Sequence, residues 1–348
     1  MDKTVDYCIV GLGIAGLGFC ETLLKNNKSF VVIDSPFCSS TRVSAGIINP
    51  LVLKRFTPVW NVKEHISTAI PFYKNIEHKL KKSFFTERPM LRIFASVKEQ
   101  NNWMVACDKN ELSGFLHPEI ITNTNPCIHA PFGYGRVYFS GIVNTEKLLD
   151  QYVSFLTKIN AFLPEKFQHH LLKIIDDKVV YKNIKAKHIV FTEGFSAREN
   201  PFFDKTLIIP NKGEFITIKA PKLNLQSLLK TSIFIVPLGN HFYKIGATYD
   251  REDTTFNPTK TAKIELLKKL KKVICCDFTI TDHIVGMRPT TLDRRPLLGS
   301  FPHQENIYFF TGLGTRGIIS APSLAQKLFQ FIENNKPLTK EIDIKRRC

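Results

Sequence analysis

Gly11, Gly13, Gly16 and Asp34 carry the first chemical signal in this chain. The glycines fall in the run Asp6-Tyr-Cys-Ile-Val-Gly-Leu-Gly-Ile-Ala-Gly16, and Asp34 closes the next apolar run, 18 residues after Gly16. A glycine turn of this spacing lays a pyrophosphate on a helix N-terminus, and the acid accepts hydrogen bonds from ribose hydroxyls. Gly11 permits the turn, and Gly13 lets a phosphate approach the backbone where Ile14 and Ala15 open the helix. Gly16 lets that helix press on the strand. Two other readings exist: an ordinary glycine-rich turn, and an apolar leader. The opening Met-Asp-Lys-Thr, one lysine beside one aspartate, is not the basic region expected of a leader, and glycines interrupt the apolar stretch.

A second group lies near the other end. Residues 286–299 read Gly-Met-Arg-Pro-Thr-Thr-Leu-Asp-Arg-Arg-Pro-Leu-Leu-Gly. A residue before proline is held extended, so Arg288 has a defined direction and suits a carboxylate clamp; the alternative is a structural arginine. Residues 312–322, Gly-Leu-Gly-Thr-Arg-Gly-Ile-Ile-Ser-Ala-Pro, read as a glycine loop entering a helix. Ser320 is expected to cap it, Pro322 to sit in its first turn, and Leu324, Leu328 and Ile332 to face inward. The partial positive charge of its N-terminus suits an anion.

The elements that must position these groups are legible in outline. Residues 5–10 and 30–33 read as strands, joined by a helix whose inner face is Leu17, Cys20 and Leu24. Residues 39–50 are small and hydroxylated, as in a loop packed on something flat. Helices are expected over 61–82 and from Asn144, a cap, to 156. Residues 91–97 read as a strand, 171–181 as a hairpin about Asp176 and Asp177, and 187–194 as a buried strand ending in a glycine turn. Residues 207–218 and 232–248 alternate apolar and polar residues, as in an antiparallel sheet with one open face. Residues 307–311 form a further strand. The pattern is α/β at both ends with a β-rich insertion.

A chain of 348 residues, 43% hydrophobic, can hold two domains, and none of its apolar runs reaches a membrane span. The eight cysteines (8, 20, 38, 107, 127, 275, 276 and 348) make no CxxC, no metal-ligand spacing and no disulfide framework, which fits a reducing cytoplasm. The net charge of +17 favours polyanions. Basic residues gather at Lys79, Lys81 and Lys82, at Lys260, Lys263, Lys268, Lys269, Lys271 and Lys272, and at residues 345–347. The middle set is expected on a helix with Ile264, Leu267 and Leu270 inward. Such runs are usually solvated faces, and become a nucleic-acid footprint only where they cluster in space.

Together these residues resemble the D-amino acid oxidase/glycine oxidase superfamily. The resemblance rests on Gly11-Gly13-Gly16, Ser44-Ala-Gly46, Thr192-Glu-Gly194, Gly246-Ala-Thr248, Gly286-Met-Arg-Pro289, Asp293, Pro296, Gly299 and the 312–322 segment, in order along nearly the whole chain. Residues 245–254, 286–299 and 314–322 most resemble the oxidase half of the bifunctional enzyme that trims 5-carboxymethylaminomethyl groups on tRNA wobble uridine. The methyltransferase half of that enzyme has no counterpart here.

The resemblance implies a Rossmann-like FAD-binding domain (1–85, 135–205 and 285–348) with an inserted antiparallel-sheet substrate domain (86–134 and 206–284). It implies FAD with its pyrophosphate on Gly11, Gly13 and Gly16, its ribose on Asp34, and its ring near Ser44, Ala45, Gly46, Gly194, Gly312, Gly314, Thr315, Arg316, Gly317 and Ile318. Without a cysteine in 312–317, the FAD is expected to be non-covalent. Arg288 matches the arginine that grips a substrate carboxylate. Arg316 is a candidate second carboxylate arginine, and Lys244 a candidate oxygen-activating lysine or an exposed strand lysine. Phe234 stands where relatives often carry a tyrosine. His169 and His170 are expected to do no chemistry. The implied reaction is oxidation of a C–N bond in a glycine-like unit, on a small amine or amino acid or on tRNA; a non-catalytic flavin- and RNA-binding protein is the alternative of another class.

Overall fold

The computed structural model describes residues 3–35 and 39–347; Cys38 and Cys348 lie outside them. The first sheet grows around Lys3–Val10, which pairs in parallel with Phe30–Ile33 on one side and Ile184–Phe191 on the other. Phe162–Leu163 extends it in parallel beyond Phe30–Ile33. The far half of Ile184–Phe191 pairs in parallel with Ile307–Thr311, while its near half meets the hairpin Leu172–Ile175 and Lys178–Tyr181. Asp176 and Asp177 take the hairpin turn at φ 48° and 57°.

The helix Ile14–Lys25 is buried nearly all round, Phe19, Thr22 and Leu23 included, rather than along the one expected face; Leu24 is half-buried. Its outer side is covered by the helix Gly317–Asn334. Gly18 permits this approach, since a Cβ there would lie 3.3 Å from the Ala321 carbonyl. Leu324 and Leu328 are buried as expected, and Ile332 packs partly buried. This last helix starts at Gly317, before Ser320. Ser320 therefore does not cap it: its hydroxyl donates to the Arg316 carbonyl one turn back. Pro322 consequently lies inside the helix, where it removes the N–H that would reach the Ile318 carbonyl. The Tyr73 hydroxyl donates to that carbonyl instead, at 2.6 Å, from the helix Val62–Leu80.

The second sheet has the order Thr279–Thr290, Ile209–Lys219, Phe242–Gly246, Phe234–Gly239, Leu228–Lys230, Met90–Ile93, Tyr134–Val137. All neighbours are antiparallel except Leu228–Lys230 with Met90–Ile93. The strand expected over 91–97 stops at Ile93. The helix Val97–Cys107 follows, because Ser96 accepts from the Glu99 N–H while Glu99 accepts from the Ala95 N–H. The basic helix is Lys260–Leu270, capped by Thr259. It buries Ala262, Leu266 and Leu270, one register away from the expected face, and leaves Ile264 65% exposed. Arg346 and Arg347 of the last basic run are tied to Asp293, at 3.1 and 2.8 Å. Among the described residues no helix is long and apolar enough to cross a membrane.

Candidate active site

A cavity of about 660 Å³ runs between the two sheets. One end is built by the turn after the first strand. Gly11 adopts φ 97°, and a Cβ on Gly16 would lie 2.2 Å from the Gly11 carbonyl, so only glycine lets helix and turn close on each other. Thr192 locks the turn from the neighbouring strand, its hydroxyl 3.0 Å from the Val10 carbonyl and 2.6 Å from that of Gly11. Thr41 accepts from the Ile14 N–H at 3.0 Å, and the Ala15 and Gly16 N–H groups have no acceptor within the helix.

Asp34 lines this end beyond Ile33. Burial raises its pKa to about 6, opposed by the Leu12 and Ser35 N–H groups. A carboxyl held in a dry wall beside a glycine-lined helix N-terminus fits an adenosine ribose and its pyrophosphate. The residues thus suit a dinucleotide. His169, expected to do no chemistry, also lines this end, with Nε2 2.9 Å from Glu193 Oε1. Asn200 holds the other oxygen of that carboxylate at 2.7 Å.

The middle of the cavity is walled by Ser44, Ala45, Gly46, Gly194, Gly314, Thr315, Arg316, Gly317 and Ile318. Gly46 at φ 61° abuts the Val143 backbone; a Cβ there would lie 1.7 Å from the Val143 carbonyl. The N-terminus of the helix Gly317–Asn334 opens here, so two helix ends face one cavity. Gly16 and Gly312 shape the walls from behind and do not line the space. Gly312, at φ 73°, packs against Thr291 and Leu297.

At the far end stands Arg288, on the strand Thr279–Thr290. Its Nη1 donates to Asn211 Oδ1 (3.1 Å), the Lys212 carbonyl (3.4 Å) and the Thr248 carbonyl (3.2 Å). Among the described residues no carboxylate lies within ion-pair distance of it. Burial lowers its pKa, yet a guanidinium stays charged. Gly213 on the adjacent strand makes room for it: a Cβ there would sit 2.0 Å from Arg288 Nη2. Tyr249 covers it, the guanidinium carbon 4.6 Å from the ring centre. Phe215, Phe234 and Tyr249 line the cavity with it, and Phe256, which also lines the cavity, packs its ring edge against Phe195, ring centres 6.2 Å apart.

The other two catalytic candidates are placed differently. Arg316 lines the cavity, but Nη1 donates to the Asn49 carbonyl at 3.0 Å and Nη2 to that of Leu51 at 3.1 Å. Lys244 does not line it. Its Nζ reaches the Val43 and Ser44 carbonyls, each at 3.3 Å, from behind the wall, and burial lowers its pKa. Gly213, Tyr249 and Phe256 were not anticipated. Gly213 left a signal, since a glycine inside a strand often marks a close approach.

The chain is 22% identical over 345 residues to the tRNA 5-methylaminomethyl-2-thiouridine biosynthesis bifunctional protein MnmC of Marinobacter nauticus, covering 92% of this chain and 54% of that protein. The chain thus spans about half the length of that relative. It is 25% identical over 161 residues to the glycine oxidase of Bacillus subtilis, covering 44% of this chain and 43% of that one. Among solved structures, glycine oxidase from Bacillus cereus superposes with a TM-score of 0.79 at 17% identity, covering 96% of each chain. Iminodiacetate oxidase from Chelativorans sp. gives 0.81 at 16%, covering 97% of this chain and 98% of the other. These two structures show the fold. Residues 6–330 match the family described as FAD dependent oxidoreductase, DAO; the chain belongs to that family, and FAD is its cofactor.

Proposed function

We propose that this enzyme oxidises the C–N bond of a glycine-like or N-substituted glycine unit, with the carboxymethylaminomethyl group of a tRNA wobble uridine as the favoured substrate. One observation carries the reading: Arg288 presents an unpaired guanidinium at the end of a cavity whose other end fits a dinucleotide. An arginine fixed by neutral acceptors keeps its full charge for an incoming carboxylate. Arg288 would hold that carboxylate and fix the position of the α-carbon. Phe215, Phe234 and Tyr249 would exclude water from the reacting C–N unit.

When bound, FAD supplies the two-electron acceptor for this oxidation. The substrate loses a hydride equivalent from its α-carbon and the proton on nitrogen. Water then adds to the resulting C=N bond, giving an amine and glyoxylate from an N-substituted glycine. Phe234 offers no hydroxyl, so orientation falls to Arg288. Lys244 is read as a buttress of the 43–44 segment, and Arg316 as a brace between the last helix and residues 49–51.

The relatives support this substrate class. Iminodiacetate is itself an N-substituted glycine, and the Marinobacter protein is named for tRNA thiouridine biosynthesis. The cavity-lining loop 248–259 leads directly into the basic helix Lys260–Leu270, which supports a polyanionic substrate. A free amino acid oxidase is the second reading, supported by the likeness to glycine oxidase along the whole chain.

The FAD-loaded protein should be incubated with tRNA carrying the carboxymethylaminomethyl group and, separately, with glycine, sarcosine and D-amino acids. Conversion of the modified nucleoside to its aminomethyl form is the expected result. Peroxide release with the small substrates and an unchanged nucleoside would move the assignment to the second reading.

A further inference from the structure

We propose that Tyr249 is a stacking platform that selects substrates whose amine nitrogen carries a pyrimidine ring through a methylene. This rests on the function proposed above and names what distinguishes its preferred substrate. Tyr249 lines the cavity beside Arg288, yet the residue is 67% exposed. The Arg288 guanidinium carbon lies 4.6 Å from its ring centre. An exposed aromatic ring at the clamp offers a flat surface to whatever the gripped carboxylate brings with it.

This ring is not on a loose loop. The loop 248–259 is pinned to the strand Ile209–Lys219 at both ends. Lys212, with 0% exposure, exchanges backbone hydrogen bonds with Asp250 at 2.7 and 3.0 Å. Its Nζ donates to Asp253 Oδ2 at 2.5 Å and to the Asn257 carbonyl at 2.6 Å. Glu214 accepts from the Thr259 N–H at 2.8 Å and its hydroxyl at 2.9 Å. The Lys212 carbonyl also accepts from Arg288, so clamp and platform share one anchor. Phe256, from the same loop, lines the cavity with 47% exposure.

Two fixed aromatic residues at the mouth are more than a glycine-sized substrate needs. A carboxylate on Arg288 places the amine further along the cavity, and a ring carried by that amine through a methylene comes within reach of an aromatic face. Stacking on an aromatic side chain serves any flat base, free or in RNA.

The test compares wild type, Tyr249→Phe and Tyr249→Leu as holoproteins with matched FAD content. Substrates are the free nucleoside 5-carboxymethylaminomethyluridine, an anticodon stem-loop bearing the same base, and sarcosine, which lacks a ring. Leucine should lower the ratio of kcat/KM for the nucleoside over that for sarcosine by roughly ten- to hundredfold, chiefly through KM. Phenylalanine should preserve the ratio. A shared loss from loosening Arg288 cancels in it.

An unchanged ratio with leucine, or an equal loss with phenylalanine, overturns the platform. If the stem-loop responds and the nucleoside does not, the ring is read only inside RNA and stacking of the free base is refuted. Should wild type oxidise neither ring-bearing substrate, the proposed function fails by itself. The platform is then judged by nucleoside binding, followed as a change in the flavin spectrum. Binding lost with leucine and kept with phenylalanine upholds it, and equal binding by all three refutes it.

Discussion

Arg288, on the wall strand, and Arg316, in the turn before the last helix, line the same cavity, and burial lowers the pKa of both. Their partners differ. Arg288 directs one arm at three neutral acceptors and lies under an aromatic ring. Arg316 places each of its terminal nitrogens on a main-chain carbonyl, at Asn49 and at Leu51. The first arrangement orients a charge without pairing it to an acid. The second uses the charge to join two backbone segments. Residue type and place in a cavity do not define a role; the acceptors already engaged do.

The largest effect should come from Arg288→Met. Removing the clamp should lower kcat/KM for sarcosine or the modified nucleoside by roughly a hundred- to a thousandfold, while FAD content stays at the wild-type level. Steady-state kinetics with flavin stoichiometry measure this, and near-normal kinetics would erase the contrast between the two arginines. Arg316→Gln should instead lower stability by about 2 kcal/mol, because the Asn49 and Leu51 carbonyls lose their donor. Its KM should shift less than Arg288→Met shifts it. A KM rise as large as that of Arg288→Met would make Arg316 a second carboxylate arginine.

Asp34→Asn probes the cofactor end. FAD affinity should fall about tenfold, read by titrating the apoprotein. The folded pKa, about 6, stands above the ordinary carboxyl value of 3.8. In the apoprotein the folded state therefore holds the proton longer, and the stability cost of ionisation grows as pH rises from about 4 to 6. The asparagine variant of the apoprotein should melt higher than wild type at pH 7 and alike at pH 4.

Lys230→Met should have the smallest effect. Burial, then Arg92, Arg316 and Lys269, lower the Lys230 pKa to about 7, and its Nζ lies 4.2 Å from the Phe234 ring centre. For a lysine with a depressed folded pKa the cost is full below pH 7 and is relieved as pH rises towards 10.5. Methionine should raise the melting temperature most at pH 6 and least at pH 10. An equal gain at both would show that packing, not charge, is at issue.

The two ends of the cavity also differ in how far they could be read beforehand. The nucleotide end follows from short-range grammar: strand, glycine turn, helix, strand and acid lie within residues 3–34, and Gly11 and Gly16 meet within the turn itself. The substrate end is assembled from residues distant along the chain. Gly213, Tyr249 and Arg288 meet only because Ile209–Lys219 pairs with Thr279–Thr290 and the loop 248–259 folds back on Lys212. Arg288 was legible because Pro289 follows it; Gly213 was marked only as a glycine inside a strand, and Tyr249 carried no local mark.

The errors have the same origin. Ser320 looked like a cap because a serine before a helical pattern usually is one, but Gly317 had already begun the helix. Ser96 and Glu99 formed a capping pair inside what read as a strand. The basic helix has two candidate inner faces, and only packing against Ile209–Lys219 and Phe242–Gly246 selects Ala262, Leu266 and Leu270.

By itself the sequence determined a strand, glycine turn and helix crossover, an acid closing its second strand and an arginine with a set direction, because turns, caps and pre-proline geometry act over a few residues. Only the tertiary structure decided which cations remain open to a ligand. That depends on which carbonyls and aromatic rings arrive beside each guanidinium or ammonium, and sheet pairing between remote segments controls their arrival.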